Sequence, residues 1–213
     1  MHPSILTLLT LLAAYLLGSI PNGLLIARLK GIDIRKAGSG NIGATNVFRS
    51  VGKSWGILTF VCDALKGFLP AWLFPQLMDE THAALGIFCG ALAIAGHNWP
   101  VFLKFKGGKG VATSAGVLLG IAPAAVGLGL LSWLILFLST RYVSVASIGA
   151  AIVVPLAGWF LYRDGRLLPI TLAILGLVTV IRHQANIRRL IAGTEHRFEF
   201  GRKTPTEHTK IHG

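Results

Sequence analysis

Charged residues are scarce in this sequence of 213 amino acids, where Asp, Glu, Lys and Arg together make up only 13%. A soluble domain carries about a quarter charged residues, and 53% of this chain is hydrophobic, so the excess apolar surface needs lipid. The chain has only two cysteines, Cys62 and Cys89, which lie in apolar stretches without a CxxC spacing. This pattern indicates packing residues and neither a thiol redox motif nor a zinc site. We expect no metal and no cofactor.

The apolar residues form runs that are long enough to cross a bilayer as helices. The sequence predicts an all-α polytopic membrane protein with about seven transmembrane helices. We expect these spans at Ile5–Ile26, Trp55–Leu77, Ala83–Ala95, Val111–Ile121, Val126–Leu138, Val143–Tyr162 and Leu167–Ile181. The fourth is short enough to make a tilted or partial crossing. Residues 1–4 contain no Lys or Arg, so the first run is expected to remain as a helix and not to act as a secretory signal.

Basic residues outnumber acidic ones, with 20 Lys and Arg against 8 Asp and Glu and a formal net charge of +12. We do not expect a nucleic-acid partner, because the chain has no aromatic-interleaved binding module. Alternating the loops gathers most basic residues on one side of the membrane, and the positive-inside rule makes that side the cytoplasm. The amino terminus is then outside and the carboxy terminus is cytoplasmic. The outer side receives Asp79, Glu80, Arg163, Asp164 and Arg166.

Residues 1–201 are predicted to form a single integral membrane domain, followed by a mobile polar tail at 202–213. Three polar segments interrupt the hydrophobic pattern on the cytoplasmic side, at Arg28–Lys53, His97–Gly110 and Arg182–Gly201. The outer connections are short and rich in turn residues. We therefore expect the chemistry in the three cytoplasmic segments.

The first segment contains closely spaced glycines, Gly38, Gly40 and Gly43, around Ser39 and Asn41. Such glycines let successive backbone N–H groups turn toward one anion, and a helix amino terminus adds to the attraction. Side chains of Ser39, Thr45 and Asn46 can add hydrogen bonds, and Arg35 or Arg49 can supply a bidentate charge. The alternative is a flexible surface loop whose arginines meet lipid headgroups.

The second segment contains Gly107, Gly108, Lys109 and Gly110 at the start of the fourth apolar run. The spacing is not that of a Walker A loop, but amides and one lysine at a helix start also favour an anion. A juxtamembrane turn with snorkelling lysines is the alternative.

The third segment places His183 and Asn186 three residues apart, on one face of a predicted helix. A histidine there could accept a proton or donate to a phosphate, or simply act as a polar cap. For Glu195 we expect a structural ion pair with a nearby arginine. Asp63 and Lys66 lie three apart inside the second span, either at an interior site or as a mutual ion pair.

Five motifs resemble those of the bacterial membrane-bound acyl-phosphate:glycerol-3-phosphate acyltransferases. They are GSIPNGLLIAR (18–28), GSGNIGATNVFR (38–49), DALKG (63–67), GHNWPVFLKFKGGKGVAT (96–113) and RHQANIRRL with GTE (182–195), and they span nearly the whole chain in order. The resemblance implies transfer of a fatty acyl group from acyl phosphate to the 1-hydroxyl of glycerol 3-phosphate, giving lysophosphatidic acid and phosphate. It also implies the bacterial inner membrane, with the active site at the cytoplasmic face, and a soluble enzyme that makes the acyl phosphate as a possible partner.

The resemblance assigns roles to the matching positions of this sequence. Essential residues of the first motif fall on Ser39 and Arg49, and the glycerol-phosphate-binding motif falls on 107–110. His183 and Asn186 match the third motif, with a structural role for Glu195. Direct attack on the acyl phosphate is the simpler chemistry, with the hydroxyl proton passing to His183 or to the donor phosphate. A membrane transporter of an organic phosphate is the alternative function, although inverted repeats typical of such proteins are not evident.

Overall fold

The computed structural model describes residues 3–78 and 83–199, which form helices and loops with no strand in either range. The α-helices are α1 (Pro3–Ser19), α2 (Asn22–Leu29), α3 (Ala44–Ser50), α4 (Lys53–Phe68), α5 (Phe74–Leu77), α6 (Ala83–Asn98), α7 (Val111–Ile121), α8 (Pro123–Thr140), α9 (Val143–Leu161), α10 (Leu167–Arg182) and α11 (Gln184–Ile191). A π-helical turn at Leu69–Leu73 joins α4 to α5. The predicted all-α class is confirmed. Asp79, Glu80 and the tail at 202–213 lie outside the described residues.

Five helical stretches are long and apolar enough to cross a bilayer, so the chain has the composition of a multi-pass membrane protein. A sixth span results if α10 and α11, which meet at a bend of 52°, count as one. Helix α7 is also apolar, but with only 11 residues it is too short to be counted among these spans. Seven crossings and an outer amino terminus therefore stay predictions. The five stretches are Ser4–Leu29, Lys53–Leu77, Ala84–Leu103, Pro123–Thr140 and Val143–Leu161.

The first apolar run is interrupted between α1 and α2, at Ile20 and Pro21. Proline has no N–H to continue the helical hydrogen bonds. The carbonyl of Ile20 accepts a hydrogen bond from Lys66 Nζ at 2.6 Å, and Lys66 Nζ lies 3.0 Å from Asp63 Oδ1. Asn22 donates to the same carboxylate at 3.1 Å. The buried Asp63–Lys66 ion pair thus ties α4 to the break. It is one of the two alternatives that the sequence left open, and Asp63 also lines the cavity described below.

Glycines let several helices approach at backbone distance. A Cβ atom built on Gly18 of α1 would lie 2.2 Å from the carbonyl oxygen of Ala93 in α6, and one on Gly96 would lie 2.3 Å from that of Tyr15. Small residues at helix contacts are the usual means of close packing in membranes, where the lipid leaves little hydrophobic driving force between helices. The α1–α6 contact therefore depends on these two glycines.

Replacing Gly18 with alanine should separate α1 from α6, because a methyl group cannot share space with a backbone carbonyl. We expect a loss of about 1–3 kcal/mol in the free energy of unfolding, measured by denaturant titration in mixed micelles. Gly165→Ala is the matched control, since no atom lies within 4 Å of its Cβ position. Equal stability of the two variants would contradict this account of the contact.

Candidate functional site

The three polar segments meet around one cavity of about 410 Å³. Their sequence positions are far apart, yet residues from each line the same space. Of the predicted site residues, those that line it are Ser39, Asn41, Gly43, Thr45, Asn46, Arg49, Asp63, Lys109, Gly110, His183, Asn186 and Glu195. Those that do not are Gly38, Gly40, Lys66, Gly107 and Gly108. The structure therefore assembles most of the predicted set into one site.

The loop before α3 is organised by the buried side chain of Asn46. Its amide nitrogen lies 2.9–3.2 Å from the carbonyl oxygens of Ile34, Ala37 and Asn41, which share its two hydrogens. The loop can wrap so tightly because Gly38, with φ of 55°, adopts the left-handed conformation that glycine favours. A Cβ on Gly38 would lie 2.4 Å from Asn46 Oδ1. The side-chain amide of Asn46 is thus fully hydrogen-bonded within the loop and is not free to bind a ligand.

The anion nest expected at 38–43 does not form from the amides of Ser39, Gly40 and Gly43. The Ser39 amide donates to Asn46 Oδ1 at 3.0 Å, and the Gly43 amide donates to Asn41 Oδ1 at 2.8 Å. The Gly40 amide donates to the Ala37 carbonyl at 3.0 Å. These N–H groups are already occupied. The first segment therefore contributes side chains to the cavity, above all the Arg49 guanidinium.

Contacts with Arg182 and His97 fix the conformation of the loop before α7. Arg182 donates to the carbonyls of Gly107 and Gly108 at 2.6–3.0 Å. The Gly108 amide donates to the His97 carbonyl at 3.1 Å, and a Cβ on Gly108 would lie 2.1 Å from His97 Nε2. These contacts leave Lys109 and Gly110, at the start of α7, to face the cavity.

A chain of hydrogen bonds joins the second segment to the third. Lys109 Nζ donates to Asn186 Oδ1 at 2.5 Å, and Asn186 Nδ2 donates to Glu195 Oε1 at 2.6 Å. The same carboxylate accepts from Ser144 at 2.9 Å and from Arg189 Nε at 2.7 Å. Glu195 therefore holds three donors directly and Lys109 through Asn186. Its contact with Arg189 is an ion pair of the kind expected from the sequence.

The cavity wall is cationic, with Arg49, Lys109 and Arg189 around Glu195. Burial lowers the pKa of Lys109 from 10.5 to about 8; the Glu195 carboxylate opposes this shift and neighbouring arginines reinforce it. Burial also lowers the pKa of Arg49. For Glu195, burial opposes ionisation, but hydrogen bonds from Asn186, Arg189 and Ser144 outweigh it and hold the pKa below 4.5. The site thus contains more positive than negative charge and suits an anion.

The His183 ring has a defined orientation at the end of α10. Its Nδ1 lies 2.8 Å from the carbonyl oxygen of Thr179, and a carbonyl can only accept. Nδ1 of a neutral ring therefore carries the hydrogen, and Nε2 keeps a lone pair. Of the two ring nitrogens, Nε2 is therefore the one that can accept a proton or a hydrogen bond from a ligand in the cavity, which His183 lines.

An apolar groove of about 530 Å³ adjoins the cavity, between α4 and helices α7 to α10. Phe60, Val111, Trp133 and Ser147 line both spaces, and Trp133 Nε1 donates to Ser147 Oγ at 3.2 Å at this junction. The site thus combines a cationic end with an apolar channel. Such a shape suits an amphiphile with an anionic head and a hydrocarbon tail.

Sequence reasoning missed Arg182 and His97 as supports of the glycine loop. Arg182 stands directly before His183 in the third motif, which is the one signal that could have pointed to it. The spacing GxSxG also occurs, at Gly52–Gly56, but Ser54 is exposed in the first turn of α4, which follows a helix and no strand. A nucleophile elbow needs a strand before the turn, so Ser54 is not a candidate nucleophile.

This chain is similar to known proteins in both sequence and fold. A family model described as glycerol-3-phosphate acyltransferase matches residues 8–193. Glycerol-3-phosphate acyltransferases of Trichlorobacter lovleyi and Aquifex aeolicus are 52% and 46% identical, each covering 87% of this chain and 94% and 95% of the relative. A crystal structure of PlsY (YgiH), an integral membrane glycerol 3-phosphate acyltransferase in its glycerol 3-phosphate form, is 45% identical with a TM-score of 0.82, covering 91% of this chain and 96% of that one. The chain therefore belongs to the glycerol-3-phosphate acyltransferase family.

Replacing Glu195 with glutamine should loosen the site, because the neutral amide cannot compensate the charge of Arg189. We expect a loss of about 1–3 kcal/mol in unfolding free energy at neutral pH. A depressed carboxyl pKa stabilises the fold above the unfolded value and loses that effect as pH falls through the folded value. The difference between wild type and variant should therefore shrink below pH 4.5, as measured by unfolding in detergent. A difference that is constant with pH would contradict a role of the ionised carboxylate.

Proposed function

We propose that this member of the family transfers a fatty acyl group from acyl phosphate to the 1-hydroxyl of glycerol 3-phosphate. The products are lysophosphatidic acid and inorganic phosphate, in the first acylation step of bacterial phospholipid synthesis. The observation that carries the proposal is the junction of the cationic cavity with the apolar groove at Trp133 and Ser147. A phosphate-bearing donor with a long tail and a phosphate-bearing acceptor both fit that combination.

In the first segment the phosphate contacts come from side chains, because the loop amides are already occupied. Arg49 and Arg189 offer planar guanidinium groups that suit bidentate contact with phosphate oxygens, and Lys109 offers a point charge. Ser39 and Thr45 add hydroxyl groups on the same wall. A bound anion offsets the desolvation of these partly buried cations through its opposite charge.

Acyl phosphate is a mixed anhydride, so the protein has to align the reactants and neutralise the leaving phosphate. The 1-hydroxyl oxygen bonds to the acyl carbonyl carbon, the bond from that carbon to the phosphate oxygen breaks, and phosphate leaves with the electron pair. The hydroxyl proton passes to His183 Nε2 or to a donor phosphate oxygen, which His183 and Asn186 then orient. No acyl-enzyme forms in this scheme.

The reaction belongs at the cytoplasmic face of the bacterial inner membrane. Glycerol 3-phosphate is water-soluble, whereas the donor's tail needs lipid, and the cavity adjoins both loop segments and apolar helices. The donor would come from a soluble enzyme that makes acyl phosphate. One integral domain over residues 1–201 would suffice for the chemistry.

The direct test is to incubate purified protein in detergent with hexadecanoyl phosphate and labelled glycerol 3-phosphate. We expect lysophosphatidic acid and inorganic phosphate to appear in equal amounts. If no lysophosphatidic acid forms, but proteoliposomes accumulate glycerol 3-phosphate, the protein is a transporter and the proposal is wrong.

The lowered pKa of Lys109 predicts how activity depends on pH. The side chain loses its positive charge as pH rises through the lowered pKa of about 8, so kcat/KM for glycerol 3-phosphate should fall over the same range. Lys109→Arg should lose this basic limb, because a guanidinium stays charged. Lys106→Arg, on the exposed part of the loop, should keep the wild-type profile. A basic limb retained in Lys109→Arg would assign it to another group.

If Nε2 of His183 accepts the proton, replacing His183 should affect the rate of turnover and not the binding of substrates. If His183 accepts the proton, His183→Gln should lower kcat by roughly 100-fold or more with little change in KM for either substrate. The neighbouring exposed Gln184→Ala serves as control. Near-normal turnover in His183→Gln would leave the donor phosphate as the base.

A further inference from the structure

The apolar groove leads away from the cavity along α7 and α8. Its near end, shared with the cavity, is formed by Val111 on α7, Trp133 on α8 and Ser147 on α9. Leu119 on α7 and Pro123 on α8 line its far end. At 1.5 Å per residue, the α7 and α8 walls are about 12 Å and 15 Å long. That is about half of a hydrocarbon core of roughly 30 Å, the depth that one leaflet offers to one acyl chain.

Hydrophobic transfer alone cannot select chain length in this groove. The surrounding lipid is as apolar as the groove walls, so a methylene gains little on passing from one to the other. Shape remains as the source of selectivity. A tail that meets an obstacle must bend into the lipid, and this displaces its carbonyl at the other end.

Four glycines line the groove, and they differ in the space beside them. A Cβ on Gly116 would lie 1.9 Å from the Ala64 carbonyl oxygen, and one on Gly129 would lie 2.4 Å from Val154 Cγ2. Gly176 is closed in the same way, at 2.5 Å from the Ala151 carbonyl oxygen. Beside Gly127, in contrast, no heavy atom lies within 4 Å. Three of the four therefore serve helix packing, and Gly127 keeps the groove open.

We infer that Gly127 lets the groove accept long acyl chains, because it places no side chain in the path of the tail. This inference rests on the proposed acyl-phosphate function. Gly127 lies six positions from Trp133, about 9 Å along α8 from the junction with the cavity. A side chain at this position would stand in the groove between the junction and its far end at Pro123. Short tails would end before it, and long tails would meet it.

The test compares kcat/KM for decanoyl and hexadecanoyl phosphate in wild type, Gly127→Ala, Gly127→Leu and Gly127→Phe. The preference for the longer donor should fall in a graded way with side-chain size. In Gly127→Phe we expect hexadecanoyl phosphate to lose about 10- to 100-fold, because a reacting group displaced by about 1 Å can cost that much. Decanoyl phosphate should change by less than about threefold, which also reports that the variant folds.

Leu128→Phe is the matched control, since Leu128 is the next residue of α8, 45% exposed, and lines neither the groove nor the cavity. It should keep the wild-type chain-length profile. Equal losses for both donors in Gly127→Phe, or an unchanged profile, would overturn the inference while the reaction itself stands. If wild type uses neither donor, the proposed function fails and not only the role of Gly127.

Discussion

The carboxylate of Glu195 is the interaction on which the rest of the site depends. It accepts hydrogen bonds from α9 and α11 and, through Asn186, positions Lys109. Helix α11 has only eight residues, and a helix that short is marginal without tertiary contacts. Gly193, with φ of 68°, turns the chain back after α11 so that Glu195 reaches this position. This partly buried carboxylate thus joins α9, α11 and Lys109 into a single wall.

Burial among several cations in this wall destabilises the charged form of Lys109. Lys109 is partly withdrawn from water and lies among cations, so its pKa is lowered to about 8, and Glu195 offsets only part of that shift. An arriving phosphate would add negative charge beside the ammonium group and raise the pKa of Lys109 again. Anion binding and protonation of Lys109 are therefore linked, because each stabilises the other. Charged side chains near the membrane are costly, and an ionic ligand of opposite charge lowers that cost.

Much of the fold and of the site could be predicted from the sequence, because apolar runs and polar interruptions report directly on burial in lipid. The helices and the meeting of three segments follow from that pattern. The direction of a side chain does not. Asn46 turns into its loop and accepts from the Ser39 amide, while the amides of Gly43 and Gly40 donate to other groups of the same loop. Composition cannot reveal these contacts. The groove also escaped prediction, because it depends on how α7 to α10 pack, and so did the carbonyl contacts of Arg182.

The two halves of the site tolerate change differently, for physical reasons. In the cationic half, charged and polar groups share partners such as Glu195 and Asn186, so moving one group disturbs the others. In the apolar half, contacts are weak and non-directional, and open space beside Gly127 leaves the wall free to change. A fold built this way can keep one chemistry while its groove varies. The proposed reaction and the inferred chain preference therefore depend on separate residues, on either side of the junction at Phe60, Val111, Trp133 and Ser147.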